Sequence, residues 1–399
     1  MIERMPGDAG PVRVGMFSDS YLPRISGVVR SIESFVAELR RQGHHASIFA
    51  PGYPGYVDRD PDVVRFPSVR APGVPDFPLA IPLARRFIGS LRARRLSIIH
   101  THSPFQMGLA GRYAARRLRA PLVFTHHTMY SEYVHYVPLV SQRLSREVVL
   151  RYTVRYCNRC ALVIAPSHAV RRFLARSGVQ TPMEVLPTAG LDLGRFARLD
   201  PSWVRPRYGI PPHALLVITV GRLAREKRFD VLLAAFAKIA RAGTERLLMV
   251  GGGPQAGELR QMACELGIGA QVAFTGPLEH DRVLDCYAAS DVFAFASPTE
   301  TQGMVVIEAM AAGLPVVAVR AGGVDEAVSN GATGLLSPLD VDALAAAMRR
   351  MMDDPALRRR CAEAGRSAAR QFAIEELVHR LVMLYRQVGQ YSATIAAPD

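Results

Sequence analysis

The chain reads as an α/β protein of two successive doubly wound, Rossmann-like units. Three observations predict this: the length, a strand–helix alternation that stops and restarts, and a Pro/Gly-rich break between the two runs. At 399 residues the chain exceeds one ordinary hydrophobic core and suits two domains. Apolar runs alternating with amphipathic helix patterns imply parallel strands joined by crossover helices. The break falls at about 187–213, where PTAGLDLGRF and DPSWVRPRYGIPPH concentrate proline and glycine.

The first run opens with the strand PVRVGMFS and the loop DSYLPRISG. The helix VVRSIESFVAELRRQG follows and ends at Gly43. HHASIFAP, SIIHTHS, APLVFTHH and ALVIAPS read as further strands, with basic helical stretches between them. After the break come LLVITVGRL, the helix VLLAAFAKIARAG, RLLMVGGGP, QVAFTGPL and DVFAFASP. A helix from about Gly303, then PVVAVRAG and GLLSP, complete the second run. Expected boundaries are 1–188 for the first domain and 189–374 for the second. The tail 375–399, with EELVHRLVMLYRQVGQY, is expected to be a helix that packs back on the first domain.

Composition narrows the function classes. Hydrophobic residues make up 49% and charged residues 21%, a globular balance. No apolar window reaches the length of a membrane span. MIERMPGDAG lacks an apolar signal core, and five cysteines argue against a disulfide framework, so a reducing cytoplasmic setting is expected. The net charge of +14 is uneven: 26 Lys and Arg stand against 12 Asp and Glu through residue 190, and 23 against 23 thereafter.

The most specific segment is SPTETQGMVVIEAMAAGLPVVAV. Glu300 and Glu308 are separated by seven residues, and Gly303 opens an Ala-rich helix. A glycine at a helix N-terminus leaves backbone N–H groups and the positive dipole end open to a phosphate. Glu308, about one and a half turns in, is placed to accept hydrogen bonds from hydroxyls beside that phosphate. Glu300 can reach another polyol. In VGRLAREKRFDVLL, Arg222 and Lys227 follow a strand's C-terminal end, where open α/β sheets bind ligands, and they can neutralise a diphosphate. Arg225 and Arg228 are expected to face solvent.

These two segments, with GGGP and FTGPL between them, resemble the family-four retaining glycosyltransferases of the GT-B fold, from about Val12 to Phe372. FSDSYLPRISGV and FTHHTMYSEYVHYVP are most similar to the branch that glucosylates diacylglycerol and related lipids. The resemblance implies two facing Rossmann-like domains with a cleft between them, and it implies residue roles. Arg222 and Lys227 stabilise the departing diphosphate, and Glu308 binds the ribose hydroxyls. Glu300 and the amides of Gln302, Gly303 and Met304, with Val305 beside them, hold the donor sugar and phosphates. Gly27 approaches the donor phosphate or the acceptor. His127 belongs to the donor-sugar pocket, and Asp19 faces the cleft and contacts the acceptor. Two departures stand out: LPTAGLD carries one extra residue, Ala189 or Gly190, and Ser26 replaces a second glycine.

The resemblance implies transfer of a hexose, glucose from UDP-glucose being the choice over GDP-sugars, to a lipid hydroxyl with retained anomeric configuration. No cofactor or divalent metal is required, since Arg222, Lys227 and the helix N-terminus can supply the positive charge. PLARRFIGSLRARRL places Leu83, Phe87, Ile88 and Leu91 near one helical face among arginines, a pattern suited to an anionic membrane. Peripheral attachment at the inner face of the cytoplasmic membrane is therefore expected. Other readings are weaker. Histidines 100, 102, 126, 127 and 135 lack HExxH or paired metal-ligand spacing. CNRC has no second cysteine pair, and DRDPD (Asp58, Asp60, Asp62) reads as solvated. Nucleic-acid binding leaves the glutamate pair and the neutral second half unexplained. The rivals are another acceptor (a phosphatidylinositol, polysaccharide or natural product), a sugar-nucleotide epimerase, or a non-catalytic basic module.

Overall fold

A computed structural model describes residues 10–24, 26–71, 74–81, 84–127, 142–188, 190–240, 244–300 and 302–395. The chain divides into two compact units. One comprises the chain through Gly190 together with Ile374 onward, and the other is Leu191–Ala373.

The first unit contains, in order, β1 (Arg13–Phe17), α1 (Gly27–Arg41), β2 (His45–Pro51), β3 (Val63–Phe66), β4 (Ser68–Ala71), β5 (Val74–Ala80) and α2 (Ala84–Ala93). It continues with β6 (Ile98–Thr101), α3 (Gln106–Leu118), β7 (Leu122–Thr125), α4 (Gln142–Cys157), β8 (Leu162–Ala165), α5 (His168–Arg176) and β9 (Met183–Val185). Among the described residues seven strands form a parallel sheet in the order β3-β2-β1-β6-β7-β8-β9, while β4 and β5 make a separate antiparallel pair. The central strands β6, β7 and β8 are buried at every position, as expected of strands covered on both faces. Ser26 has a physical role as it stands: it caps α1, its side chain accepting from the Val29 amide at 3.3 Å.

The second unit contains α6 (Val204–Arg207), β10 (Leu215–Val220), α7 (Phe229–Ile239), β11 (Glu245–Val250), α8 (Ala256–Glu265), β12 (Val272–Gly276) and α9 (His280–Ala288). Then come β13 (Val292–Phe295), α10 (Met304–Ala311), β14 (Val316–Val319), α11 (Val324–Ala327), β15 (Gly334–Ser337), α12 (Val341–Asp353) and α13 (Pro355–Ala369). Six of its strands form a parallel sheet in the order β12-β11-β10-β13-β14-β15. One large core joins α7, α8, α12 and α13 to that sheet, around Phe229, Phe236, Met348 and Leu357.

The last helix, α14 (Ile374–Ile395), belongs to the first unit. Its buried residues Ile374, Leu377, Val378, Leu381, Val382, Tyr385 and Val388 repeat at helical spacing and share one core with Val29, Ile32 and Phe35 of α1. Burying seven such side chains contributes on the order of 10 kcal/mol before ordering entropy, ample to hold the helix on this unit. The chain crosses between the units twice, and both crossings are tight. A Cβ on Gly190 would collide with Ile374, and the Leu191 amide donates to the Phe372 carbonyl at 2.8 Å. Ala189 lies outside the described residues.

Candidate functional site

Both sheets reverse their winding at one point, β1/β6 in the first and β10/β13 in the second. Loops leaving the C-terminal ends of such strand pairs are where open α/β sheets bind ligands. In the second unit these loops run from Gly221 to Arg228 and from Ala296 to Gly303, and they carry most of the predicted site.

The course of the first loop is set by backbone packing. A Cβ on Gly251 would collide with the Gly221 carbonyl, and one on Gly253 with that of Leu223. GGGP is therefore a set of close approaches between the loops after β10 and β11. Gly221 donates to Val250 O at 3.0 Å and Leu223 to Gly252 O at 2.9 Å. Held this way, Arg222 is exposed with no ion pair among the described residues. Lys227, on a short 3-10 turn (Arg225–Lys227), pairs through Nζ with Oε1 of Glu300. Arg228, expected to face solvent, keeps its side chain 38% exposed and pairs with Asp230 at 3.0 Å in the first turn of α7.

Gly303 is the N-cap of α10, with φ +75°, a left-handed conformation that favours glycine. Its carbonyl takes the Val306 and Ile307 amides at 2.9 and 3.2 Å. The amides of Met304 and Val305 stand ahead of the first intrahelical bond, where an anion can meet them. Gln302 is buried beside them. Glu308 is 3% exposed. Its Oε1 lies 3.0 Å from His280 Nε2, and its Oε2 accepts from Tyr287 OH at 3.2 Å.

His280 and Tyr287, both on α9, were not anticipated from the sequence. HDRVLDCY places them seven residues apart, two turns along one face, and that is the signal that could have found them. On the far side of His280, Nδ1 lies 3.0 Å from Nη1 of Arg195, which also binds Asp281. A guanidinium only donates, so Nδ1 accepts and Nε2 carries the hydrogen donated to Glu308. The network Arg195–His280–Glu308–Tyr287 fixes one buried carboxylate at the head of the β10/β13 crevice.

Asp19, Gly27 and His127 belong to the first unit. Asp19 lies two residues past the end of β1. It is 5% exposed, its Oδ2 accepts from Ser103 Oγ, and its Oδ1 accepts from the Met107 amide at 2.7 Å. It thus caps the start of α3, and burial pushes its carboxyl above the usual range despite these two donors. Gly27 is exposed at the first position of α1.

His127 is buried, with Nε2 at 2.8 Å from His102 Nδ1. His102 lies against His100 with ring centroids 4.3 Å apart and planes tilted by 32°. His100 bonds Tyr385 OH of α14 and Thr125 Oγ1, each at 2.6 Å. Burial lowers all four histidines here: His100 and His127 to about 3, His126 to about 4, and His102 well below its ordinary value. They are neutral at pH 7. Residues 128–138 of THHTMYSEYVHYVP, including His135, lie outside the described residues.

Three further expectations change. Asp58, read as solvated, pairs with Arg65 at 2.7 Å with both side chains largely buried, and Asp60 pairs with Arg40 at 2.7 Å. Leu91, placed on a membrane-facing stripe, is fully buried in the core beside Met107 and Ala110. The side chains of Leu83, Arg85, Arg86, Phe87 and Ile88 lie outside the described residues. All five cysteines are free, and among the described residues no helix is long and apolar enough to cross a membrane.

Comparison with known proteins agrees with this architecture. Residues 25–195 match Glycosyltransferase Family 4 and residues 204–368 match Glycosyl transferases group 1. The chain is 33% identical to an alpha-monoglucosyldiacylglycerol synthase of Streptococcus pneumoniae, over 77% of this chain and 71% of that protein. It is 33% identical to a GDP-mannose-dependent alpha-mannosyltransferase of Mycobacterium tuberculosis, over 82% and 84%. The fold is that of Anabaena HepE, solved in complex with UDP, with a TM-score of 0.75 at 22% identity over 94% of this chain and 100% of that one. With both halves matched and the fold shared, the chain belongs to glycosyltransferase family 4 and has the GT-B fold.

Proposed function

We propose that the chain transfers a hexose, glucose from UDP-glucose, to a hydroxyl of a diacylglycerol-type lipid with retention of anomeric configuration. The observation that carries this reading is the meeting of Lys227 and Glu300 from the two loops of the β10/β13 crevice, beside the α10 N-terminus. That arrangement suits a sugar diphosphate: Arg222 and Lys227 face the phosphates, the Gln302–Val305 backbone receives them, and Glu300 receives sugar hydroxyls. Glu308 keeps a second lone pair on each oxygen for the ribose hydroxyls.

Bond breaking leaves negative charge on the diphosphate, and stabilising that charge in place is the main catalytic contribution of Arg222, Lys227 and the helix amides. The acceptor oxygen attacks from the face the diphosphate leaves, and its proton passes to a leaving phosphate oxygen. Holding both partners in that geometry supplies the rest. The chain's own cations suffice for this charge, so the reading calls for no divalent metal. His127 serves the sugar pocket as a neutral imidazole, and Gly27 leaves room for the phosphate or acceptor. Asp19 acts at one remove by fixing the loop before α3.

The lipid acceptor and glucose rest on the S. pneumoniae relative and on a second alpha-monoglucosyldiacylglycerol synthase from Acholeplasma laidlawii, 28% identical. A mannosyl donor is the second reading, favoured by the M. tuberculosis relative. The excess positive charge of residues 1–190 suits work at an anionic bilayer on the cytoplasmic side. The test is transfer from UDP-glucose and GDP-mannose into vesicles with and without diacylglycerol, with the product's anomeric configuration read by NMR. An α-glucosyl lipid made only from UDP-glucose supports the proposal; lipid-indifferent turnover or an inverted product overturns it.

A further inference from the structure

A cavity of about 240 Å³ opens on the first unit between α3 and α4, lined by Leu109, Arg112, Tyr152, Arg155, Tyr156 and Arg159. Three of its six lining residues are arginines and none is acidic. The tyrosine hydroxyls are committed inward: Tyr152 donates to Pro104 O at 2.7 Å, and Tyr156 donates to Gly108 O and accepts from Thr101 Oγ1, each at 2.9 Å. The rings therefore wall the cavity, and the guanidinium groups are the polar groups it presents. None of the three makes a side-chain hydrogen bond or ion pair among the described residues. The nearby acid on α4, Glu147, is held by Arg151 at 2.7 Å.

Like charges gathered without a counter-charge repel, and the cost shows at Arg112. Burial first, then the charges of Arg159 and Arg116, lower its hold on its proton. An anion placed among the three removes that repulsion. Guanidinium forks match the tetrahedral oxygens of a phosphate in bidentate pairs. We propose that this cavity is a binding site for a phosphate group, carried by a lipid headgroup or by a soluble phosphate ester. Leu109 of the lining is 48% accessible, apolar surface that a phosphate at a bilayer would meet. The site stands whatever acceptor the enzyme uses.

The test uses the full chain and the triple variant Arg112→Gln, Arg155→Gln, Arg159→Gln. A charge-matched control, Arg171→Gln with Arg172→Gln and Arg176→Gln, removes three arginines of α5 instead. Binding is measured to phosphatidylcholine vesicles with and without phosphatidic acid, and to glycerol 3-phosphate in free solution at constant ionic strength. The expected result is phosphatidic acid-dependent binding that weakens at least about tenfold in the cavity variant and much less in the control. UDP-glucose hydrolysis without lipid should match across all three proteins.

Loss of glycerol 3-phosphate binding in the cavity variant would assign the site to soluble esters, and loss of vesicle binding alone to a headgroup; either supports a phosphate site. Equal weakening in the control and the cavity variant would reduce the effect to net charge and overturn the proposal. So would an absence of phosphate-dependent binding in the wild-type protein.

Discussion

Glu308 shows what a single residue reveals in sequence and what it withholds. A carboxylate amid MVVI and AMAAG signals a function because charge rarely enters such a run unpaired. The side chains that hold it, His280 and Tyr287, sit on a different helix, and only the packing of α9 against α10 brings them within hydrogen-bond reach. Asp19 repeats the pattern: its strand-end position was legible, but its bond to the Met107 amide 88 residues away was not. His280 has a definite task, donation from Nε2 to Glu308. His280→Ala should raise the donor dissociation constant about tenfold, as expected for a hydrogen bond to a charged group, with an unchanged circular dichroism spectrum. Titration calorimetry with UDP-glucose checks this, and unaltered affinity would detach the network from donor binding.

At the scale of elements, the apolar runs placed β1, β2, β6, β7 and β8, and all six strands of the second sheet. β3 and β9 escaped because four- and three-residue edge strands carry too little pattern to rise above a loop. The helical spacing of α14 was equally plain, but its most informative contact was not. Tyr385, fully buried, bonds His100 on β6, 285 residues away in the chain. Tyr385→Phe removes the hydroxyl and leaves a buried imidazole nitrogen unpaired, at a cost of about 1–3 kcal/mol. Thermal unfolding should fall by several degrees for a unit of this size. An unshifted midpoint would show that the pair is not a stabilising link between α14 and the sheet.

Across the whole molecule, two asymmetries coincide in the first unit: the chain's excess positive charge and four buried neutral histidines. The histidines set the acid behaviour. Their folded values lie far below the unfolded value of about 6.5, so between the two the unfolded chain binds more protons. Stability is then fully present above about pH 6.5 and is lost as the pH falls toward the folded values near 4 and 3. Asp19, raised rather than lowered, works in the opposite direction but is one group against four. Calorimetric melting should show a falling midpoint from about pH 7 to about pH 5; a flat profile would mean that the histidines are not buried in solution. Charge asymmetry was countable in the sequence, whereas histidine burial depended on β6 and β7 lying side by side.

The proposed donor site in the second unit is tested most directly by single-turnover transfer from UDP-glucose to diacylglycerol in vesicles. Lys227→Ala and Glu308→Gln, compared with the wild type under matched circular dichroism spectra, should each lose roughly a hundredfold or more in rate or in donor affinity. Wild-type turnover in either variant would contradict the site.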